Sequence, residues 1–435
     1  MIGRVEDEPL PRDWTAVSLK AIVAKLVDGS HNPPSKRESG VPMLSARNIL
    51  NNQIAFEAHR LISEEDFKRE HARTRISPGD VLLTIVGTIG RSAVVPASAK
   101  RFALQRSVAV ITPTGVLPKY LMYQFQSPFL QRHFETNARG TAQKGVYLKT
   151  LGQTPILVAP LRQQELIVAE IEKQFSRLDE AVANLKRVKA NLKRYKAAVL
   201  KAAVEGKLTP AEKPWKQVIL GDIASSIRNG FSKKPDAEQG TRIFRISAVR
   251  PMELNANDVR YLSGVPGDYQ SYLVELGDVL FTRYNGSRDY VGVCARIPSG
   301  LPPTVYPDKL IRVRVPSSML LPEFLVILAS TGRARQYVES KIRTTAGQSG
   351  ISGGDLKSLP LDLPRVDEQR RIVAEVEHHL SVIEKLEATV EANLTRADRL
   401  RQSILSNVFA GKLVCANTSQ SGERRADIQM AKSLE

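Results

Sequence analysis

The amino-acid sequence repeats itself at an offset of about 200 residues, and the matches keep the same order along the whole chain. Each copy begins with a tryptophan and a short apolar stretch. The matched pairs are residues 14–22 with 215–223, 44–47 with 246–250, 79–84 (GDVLLT) with 277–282 (GDVLFT), 117–121 with 321–325, 164–171 with 369–376, and 206–208 (GKL) with 411–413 (GKL). Two copies of one structural unit therefore make up nearly the whole chain.

Each copy has an irregular first part and a regular second part. In the first part, short β-branched runs such as residues 80–86 and 103–111 are broken by Gly, Pro and Asn, which predicts a mixed α/β globule. From residue 161 and again from residue 366, Gly and Pro are absent for about 40 residues, and apolar residues recur at alternating steps of four and three. This pattern predicts that each copy ends in a long helix with a heptad seam, and that the glycine of each GKL segment stops the helix.

The two seams predict how the helices pair. The first helix leaves the first globule and leads to the second, whereas the second helix starts where the second globule finishes. Packing seam to seam therefore makes them antiparallel. The predicted seam residues are Ile167, Ile171, Leu178, Leu185, Leu192 and Val199, and in the second helix Ile372, Val376, Ile383, Leu386, Val390, Leu400 and Ile404. The alternative is that each amphipathic helix is buried on its own globule.

These patterns define the predicted fold and its boundaries. We expect two tandem mixed α/β (α+β) globules, residues 1–160 and 209–364, joined by two long α-helices that form an antiparallel coiled coil. The helical spacers are residues 161–208 and 365–413, and the whole is predicted to be a pseudo-two-fold dumbbell. The remaining stretch, residues 414–435, is polar and lacks either period, so we predict disorder there.

The charge of the chain points to a polyanionic partner. Lys and Arg number 63 against 45 Asp and Glu, which gives a formal charge of +18. Nucleic acid is the first candidate, and the alternative is that the charge serves solubility alone. The two cysteines and six histidines show no ligand spacing, so we expect neither a disulfide nor a metal site. No apolar run is long enough for a membrane span, and we expect a soluble cytoplasmic protein.

Motifs that would carry catalysis are incomplete. Residues 32–35 (NPPS) lack the aromatic fourth residue with which an adenine methyltransferase stacks its flipped base. A nuclease signature could be assembled from Asp308, Glu339 and Lys341, but such degenerate matches arise by chance. The two GKL segments lack the spaced glycine and the Ser or Thr of a phosphate-binding loop. We therefore expect no catalytic residues and no enzymatic activity in this chain.

Several of the repeated segments resemble a known family. Residues 364–377 (PRVDEQRRIVAEVE) and 160–172 (PLRQQELIVAEIE) resemble the conserved region of type I restriction-modification specificity subunits, and the helix ends at residues 195–208 and 400–413 resemble the close of that region. Residues 277–287 (GDVLFTRYNGS) and 79–91 (GDVLLTIVGTIGR) look like the target-recognition-domain motif of the family. One departure is Gln163 where the second copy has Glu368, which hints at unequal docking faces.

The resemblance implies a recognition subunit of an anti-phage defence complex. In that family each globule, a target recognition domain, reads one half of an asymmetric bipartite site in double-stranded DNA. The helices separate the halves and dock two adenine-N6 methyltransferase (modification) subunits, and two motor-nuclease (restriction) subunits join for cleavage. It also implies that this chain binds no cofactor. S-adenosylmethionine belongs to the methyltransferase partner, and ATP and Mg²⁺ belong to the motor-nuclease partner.

Loops rich in hydrogen-bonding side chains are the candidate base readers, because base edges are read by such groups. In the first copy they are Thr84, Thr88, Arg91, Arg139, Thr141, Gln143, Lys144 and Tyr147. In the second copy they are Arg283, Tyr284, Asn285, Ser287, Arg288, Arg343, Thr344, Thr345, Gln348 and Ser349. The candidate phosphate contacts are Lys36, Arg37, Arg47, Lys233, Lys234, Arg245 and Arg250.

Two alternatives remain open at this point. For any one of these residues, the alternative is a solvated charge or a polar residue that forms a turn. For the whole chain, the alternative is a free-standing DNA- or RNA-binding scaffold without enzyme partners, and a self-sufficient nuclease is a more distant possibility.

Overall fold

The structure is a computed structural model that describes residues 11, 13–140, 143–209, 214–345 and 347–412. The chain divides into two compact units, residues 1–185 with 392–435 and residues 186–391. The division falls inside both long helices, so each unit contains one globule and a part of each helix. The predicted disordered tail, residues 414–435, lies outside the described residues.

The first unit is a mixed α/β globule. Its strands are β1 (Thr15–Ser18), β2 (Val23–Asp28), β3 (Val41–Leu44), β4 (Ile49–Leu50), β5 (Gln53–Ile54), β6 (Arg60–Ile62), β7 (Val81–Thr84), β8 (Ser92–Val94), β9 (Ala103–Leu104), β10 (Val108–Pro113) and β11 (Pro155–Val158). Its helices are α1 (Glu64–Thr74), α2 (Pro118–Phe125), α3 (Pro128–Asn137), α4 (Leu148–Gly152) and the first part of α5 (Leu161–Val204).

An antiparallel sheet with the order β2-β10-β7-β8 forms the centre of this unit. Both faces of its middle strands are buried, because successive side chains point to opposite sides of a strand. Leu83 and Ile111 pack in one cluster with Leu121 of α2, whereas Leu82 and Val110 pack in another. The smaller sheets are β6-β3-β9, β1-β11 and β4-β5.

The second unit has the same kinds of elements in nearly the same order. Its strands are β12 (Lys216–Ile219), β13 (Ser226–Asn229), β14 (Thr241–Phe244), β15 (Val249–Arg250), β16 (Glu253–Leu254), β17 (Val259–Leu262), β18 (Val279–Thr282), β19 (Tyr284–Asn285), β20 (Cys294–Arg296), β21 (Thr304–Val305), β22 (Leu310–Arg314), β23 (Arg343–Thr345), β24 (Gln348–Gly350) and β25 (Pro360–Leu363). Its helices are α6 (Leu220–Ile223), α7 (Pro322–Ser330), α8 (Gly332–Lys341), α9 (Gly353–Lys357) and the first part of α10 (Val366–Phe409).

The sheets of the two units correspond strand by strand. The second unit has β13-β22-β18-β20, β17-β14-β21, β12-β25 and β15-β16 where the first has the four sheets given above. It also has a small sheet with the order β19-β24-β23. At the equivalent place in the first unit, Val86 and Arg139 each form an isolated bridge with Gly145. The predicted duplication of a mixed α/β fold is confirmed.

The tryptophan that opens each repeat contacts the start of the long helix of the same copy. Trp14 Nε1 donates to Gln163 Oε1 at 2.8 Å, and Trp215 Nε1 donates to Glu368 Oε1 at 3.0 Å. The difference between Gln163 and Glu368 therefore lies at an internal contact that both residues make in the same way. The structure gives this pair of residues an internal role, and the expectation of unequal docking faces stays a prediction.

The aspartate of each GDVL segment is buried and holds the turn before its strand. Asp80 accepts a hydrogen bond from the backbone N–H of Ser77 at 2.8 Å and pairs with Lys25 at 2.9 Å. Asp278 accepts from the backbone N–H of Glu275 at 2.7 Å and pairs with the guanidinium of Arg314 at 2.7 and 2.9 Å. A buried carboxylate needs such partners to offset its desolvation, which explains this motif as structural.

The long helices α5 and α10 begin where the sequence predicted. The glycines of the two GKL segments follow them in the left-handed conformation, Gly206 with φ 62° and Gly411 with φ 77°, as the predicted helix stops require. In the second unit, Lys189 pairs with Glu391 at 2.7 Å, and the Tyr195 hydroxyl lies 3.0 Å from His379 Nδ1. Residue numbers rise along α5 as they fall along α10, so the two helices are antiparallel there.

Most of the predicted seam residues of both helices are buried or half-buried, and two of the second helix are exposed. The buried predicted residues are Ile167, Ile171, Leu192, Val199, Ile372, Val376, Ile383 and Val390, and Leu178, Leu185 and Ile404 are half-buried. Leu386 and Leu400 are 46% and 45% exposed, so their assignment to the seam was wrong. The half-buried residues one position later are Glu387 and Arg401. Long polar side chains can cover a seam with their aliphatic stems, which an apolar pattern does not detect.

Candidate nucleic-acid interface

Strand pairing brings the two predicted reading loops of the second unit together. Tyr284 pairs with Gly350, and Asn285 pairs with Ser349, in the β19-β24-β23 sheet. Residues 283–288 and residues 343–345 with 347–349, which are far apart in sequence, therefore form one surface. In the first unit the bridges from Gly145 to Val86 and Arg139 join residues 84–91 to residues 139–140 and 143–147.

A cleft of about 850 Å³ lies beside this surface in the second unit. Most of the predicted reading and phosphate residues of the unit line it: Lys233, Lys234, Arg245, Arg250, Tyr284, Asn285, Ser287 and Gln348. Arg260, Tyr290, Asp308 and Lys309 also line it and were not predicted. Its charged residues are therefore the six cations Lys233, Lys234, Arg245, Arg250, Arg260 and Lys309, with Asp308 as the one carboxylate among the described lining residues.

The cleft residues that the sequence did not predict lie mostly next to segments that it did predict. Tyr290 is two residues beyond the predicted loop 283–288. Lys309 follows Asp308, which belongs to the incomplete nuclease signature. Arg260 lies in β17, where it pairs with Ile243 of the neighbouring strand. A predicted loop longer by two residues would have included Tyr290. No sequence signal points to Arg260, because strand pairing places it beside the cleft.

Tyr284 has a fixed position in the cleft because its ring lies against the backbone of Gly350. A Cβ atom on Gly350 would lie 2.2 Å from Tyr284 Cδ1 and 2.5 Å from Cε1, which no side chain can occupy without moving the ring. A glycine in this strand thus permits the close approach of the aromatic ring.

Arg283 is half-buried and contacts two of the residues that line the cleft. Its guanidinium carbon lies 4.6 Å from the centroid of the Tyr284 ring, and Nη1 donates to the backbone carbonyl of Asp308 at 3.3 Å. Its Nε is buried and makes no hydrogen bond within the described part of the chain. The side chain thus contacts Tyr284 and the Asp308 segment, and base reading by Arg283 stays a prediction.

Two other predicted readers are buried. Thr84 is fully buried, and its hydroxyl accepts from the backbone N–H of Arg91 at 2.9 Å. Ser349 is also buried, with its hydroxyl 2.9 Å from that of Thr344. These assignments were wrong, because a side chain that is buried and already hydrogen-bonded cannot reach a base edge.

The remaining predicted residues lie at the surface of their units. Exposed ones are Lys36, Arg37, Arg47, Thr88, Arg139, Gln143, Lys144, Tyr147, Arg288, Arg343 and Thr344, and Arg91 is half-buried. Tyr147 exposes 62% of its surface, which is unusual for a large aromatic residue. Arg288 donates to the backbone carbonyl of Glu339 at 3.1 Å. Thr141 and the side chain of Thr345 lie outside what the structure describes.

Two further features of the described residues bear on function. Their histidine, cysteine and carboxylate side chains form no group of three that could hold a metal ion. None of the helices seen in this part of the chain combines the length and apolar character of a membrane span.

Comparison with known proteins gives matches along most of the chain. A family model described as "Type I restriction modification DNA specificity domain" matches residues 11–194. The chain is 30% identical over 429 residues to the type I restriction enzyme EcoKI specificity subunit of Escherichia coli (strain K12), covering 93% of this chain and 90% of that protein. It is 25% identical over 426 residues to the StySPI specificity subunit of Salmonella potsdam, with the same coverage of 93% and 90%.

Solved structures resemble the fold as well. A chain from a structure described as "Structural basis underlying complex assembly and conformational transition of the type I R-M system" aligns with a TM-score of 0.71 at 20% identity, covering 93% of this chain and 99% of that chain. The HsdS subunit from Thermoanaerobacter tengcongensis aligns with a TM-score of 0.54 at 20% identity, covering 94% and 99%.

Proposed function

Since the chain belongs to the family of type I restriction enzyme specificity subunits, we propose that each of its two units reads one half of a bipartite DNA sequence. Its role is to recognise DNA, and it is a non-catalytic subunit. The second unit reads its half in the cleft described above. The first unit reads the other half with the loops joined by Gly145.

The observation that carries this proposal is the composition of the cleft. DNA-binding surfaces combine cations, which contact phosphates and set position, with hydrogen-bonding side chains that read base edges. The cleft brings six cations together with Asn285, Ser287 and Gln348 on one surface. Asn285 Oδ1 accepts from the backbone N–H of Ser287 at 3.0 Å, which orients the amide, and a second lone pair of Oδ1 and the Nδ2 donor can then meet a base edge.

The two units differ at the positions that would face DNA, which supports an asymmetric target. Tyr284 and Asn285 form a short strand in the second unit, whereas Val86 of the first unit forms a single bridge and is followed by Gly87 and Thr88. Side chains of different size and hydrogen-bonding capacity read different bases. The framework is shared, and the half-sites are expected to differ.

An exposed apolar strip in the second unit supports docking of a methyltransferase subunit. Val188 and Tyr195 of α5 and Val382 and Leu386 of α10 expose between 42% and 47% of their surface. Tyr195 contacts His379, and Val382 and Leu386 follow His379 at helical spacing, so these residues lie on one side of the seam. Exposed apolar patches of this kind mark protein interfaces.

For the complete assembly we propose the partners that the family implies. Two adenine-N6 methyltransferase subunits, which carry S-adenosylmethionine, bind this chain, and two motor-nuclease subunits, which use ATP and Mg²⁺, join for restriction. The chain itself holds no cofactor in this proposal. It acts in the cytoplasm, where the host DNA is.

The test is to express the chain with its methyltransferase partner and sequence the methylated adenines of the host. We expect one asymmetric bipartite motif. Asn285→Ala should relax or abolish recognition in one half only, whereas Asn257→Ala, an exposed asparagine outside the cleft, should leave the motif unchanged. A palindromic motif, or an unchanged motif with Asn285→Ala, would contradict the proposal. A chain that binds no methyltransferase but selects a DNA sequence alone would be a free-standing scaffold.

A further inference from the structure

We infer that Arg250 and Lys309 make the phosphate contacts of the cleft, and that Tyr290 and Tyr284 are positioning residues that hold these two cations in place. The inference rests on the DNA-reading role proposed above and assigns different tasks to cations that share one surface. It also changes the sequence-based assignment of Lys233 and Arg245 as phosphate contacts.

Two of the cleft cations are neutralised by carboxylates. Lys233 Nζ lies 2.7 Å from Asp236 Oδ2, and this ion pair raises the pKa of Lys233. Asp236 is itself fixed, because it accepts hydrogen bonds from the backbone N–H and the hydroxyl of Ser263, both at 2.9 Å. Arg245 Nη1 lies 3.4 Å from Asp258 Oδ1. A phosphate that approached either cation would also meet the carboxylate, so each pair offers little net charge to DNA.

Two other cleft cations lie over tyrosine rings. The guanidinium carbon of Arg250 is 4.9 Å from the centroid of Tyr290, and Lys309 Nζ is 5.1 Å from the centroid of Tyr284. A neutral ring attracts a cation through its quadrupole and leaves the positive charge uncancelled. Lys309 Nζ also lies 3.9 Å from Asp308 Oδ2, which is beyond hydrogen-bond distance, whereas Lys233 and Arg245 lie 2.7 and 3.4 Å from their carboxylates; Asp308 therefore offsets the charge of Lys309 only in part. Arg250 and Lys309 therefore keep charge for an anion.

The rings limit the motion of these cations before DNA binds. Tyr284 is fixed by strand pairing with Gly350 and by the close approach of its ring to that glycine. Tyr290 closes the short 3-10 turn Arg288–Tyr290 at the edge of the cleft. A long cationic side chain that is already held loses less conformational entropy when it meets a phosphate. This arrangement distinguishes the ring-held cations from Lys234 and Arg260, which are exposed in the same cleft.

The first test measures how DNA binding depends on salt, because each phosphate contact contributes about 0.9 to the slope of log K against log salt concentration. The full chain in complex with its methyltransferase partner is titrated with the duplex defined by the methylated motif. Arg250→Ala and Lys309→Ala should each lower the slope by about 0.9 and weaken binding roughly five- to ten-fold at 0.1 M salt. The charge-matched double variant Lys233→Ala/Asp236→Ala should keep the wild-type slope.

The second test separates the rings from the cations. Tyr284→Leu and Tyr290→Leu should weaken binding roughly three- to ten-fold with an unchanged slope, since the cation remains but is no longer held. Tyr284→Phe and Tyr290→Phe keep the ring and should restore wild-type binding. Leucine variants with wild-type affinity, or a slope lowered only by Lys233→Ala/Asp236→Ala, would overturn the inference. A wild-type complex that does not prefer its own motif would instead contradict the proposed function.

Discussion

Replacing Asp278 by alanine should destabilise the second unit more than the matched change at Asp80 destabilises the first. Asp278 is buried in the GDVL turn of β18, where it pairs with Arg314 at 2.7 Å and lies 3.9 Å from Arg312. Asp80 holds the equivalent turn in the first unit and pairs with Lys25 at 2.9 Å. The two carboxylates therefore serve the same turn but face cations in different environments.

The difference in magnitude follows from the burial of those cations. Arg312 exposes only 7% of its surface, so Asp278→Ala leaves a buried charge without its carboxylate, which typically costs about 3–5 kcal/mol. The side chain of Lys25 is 21% exposed and can turn toward water, so Asp80→Ala should cost about 1–3 kcal/mol, mainly in lost hydrogen bonds. Asp278→Asn keeps an oxygen for the Glu275 N–H and should fall between wild type and Asp278→Ala.

Urea unfolding of the full chain followed by circular dichroism gives the free energies of unfolding, and limited proteolysis shows which unit opens first. We expect the second unit to open first in Asp278→Ala. If Asp278→Ala cost less than about 1 kcal/mol, or no more than Asp80→Ala, the argument from an unpaired buried charge would be refuted.

Three further predictions concern the cleft and the core behind it. Gly350→Ala should displace the Tyr284 ring and cost about 1–3 kcal/mol of specific DNA binding. The matched change Gly145→Ala, whose Cβ would lie 3.1 Å from a Val86 methyl, should cost less, and equal losses in binding assays would contradict this. Arg283→Ala should weaken specific binding by about 1 kcal/mol without changing the salt slope, because the guanidinium lies against the Tyr284 ring. A slope lowered by about 0.9 would make Arg283 a phosphate contact. Burial raises the pKa of the Cys294 thiol to about 12, so the thiol ionises at lower pH in the unfolded chain than in the folded one. Stability should therefore fall as the pH rises toward 12, by up to about 1.4 kcal/mol per pH unit. Urea unfolding of Cys294→Ala with the wild-type pH slope would disprove this.

The sequence by itself determined the features that depend on local pattern and on order along the chain. The sequence predicted the duplication, the two mixed α/β globules and the start of both long helices. The absence of Gly and Pro and the heptad period are local signals that span a few helical turns, so they do not depend on distant residues. The stops at Gly206 and Gly411 followed for the same reason, since a left-handed residue after a helix strongly favours glycine. The resemblance to specificity subunits rested on the same ordered segments.

Only the tertiary structure decided which side chains are available to a ligand. Thr84 and Ser349 have the hydrogen-bonding side chains of base readers, but burial and internal hydrogen bonds remove them from the surface. Leu386 looked like a seam residue, yet the polar Glu387 stands in the half-buried position beside it. In each case the outcome depends on which distant residue packs against the side chain.

The cleft itself could not be predicted from any one segment. Its cations come from residues 233–234, 245–250, 260 and 309, which are brought together by contacts such as the pairing of β14 with β17 and the bridge between Phe231 and Pro307. Distances of a few ångströms decide whether the charge of a cation is offset by a carboxylate, as for Lys233, or remains available over an aromatic ring, as for Lys309. Coulomb and quadrupole interactions act through space, so the charge that each side chain offers to DNA is fixed by the fold and not by its place in the chain.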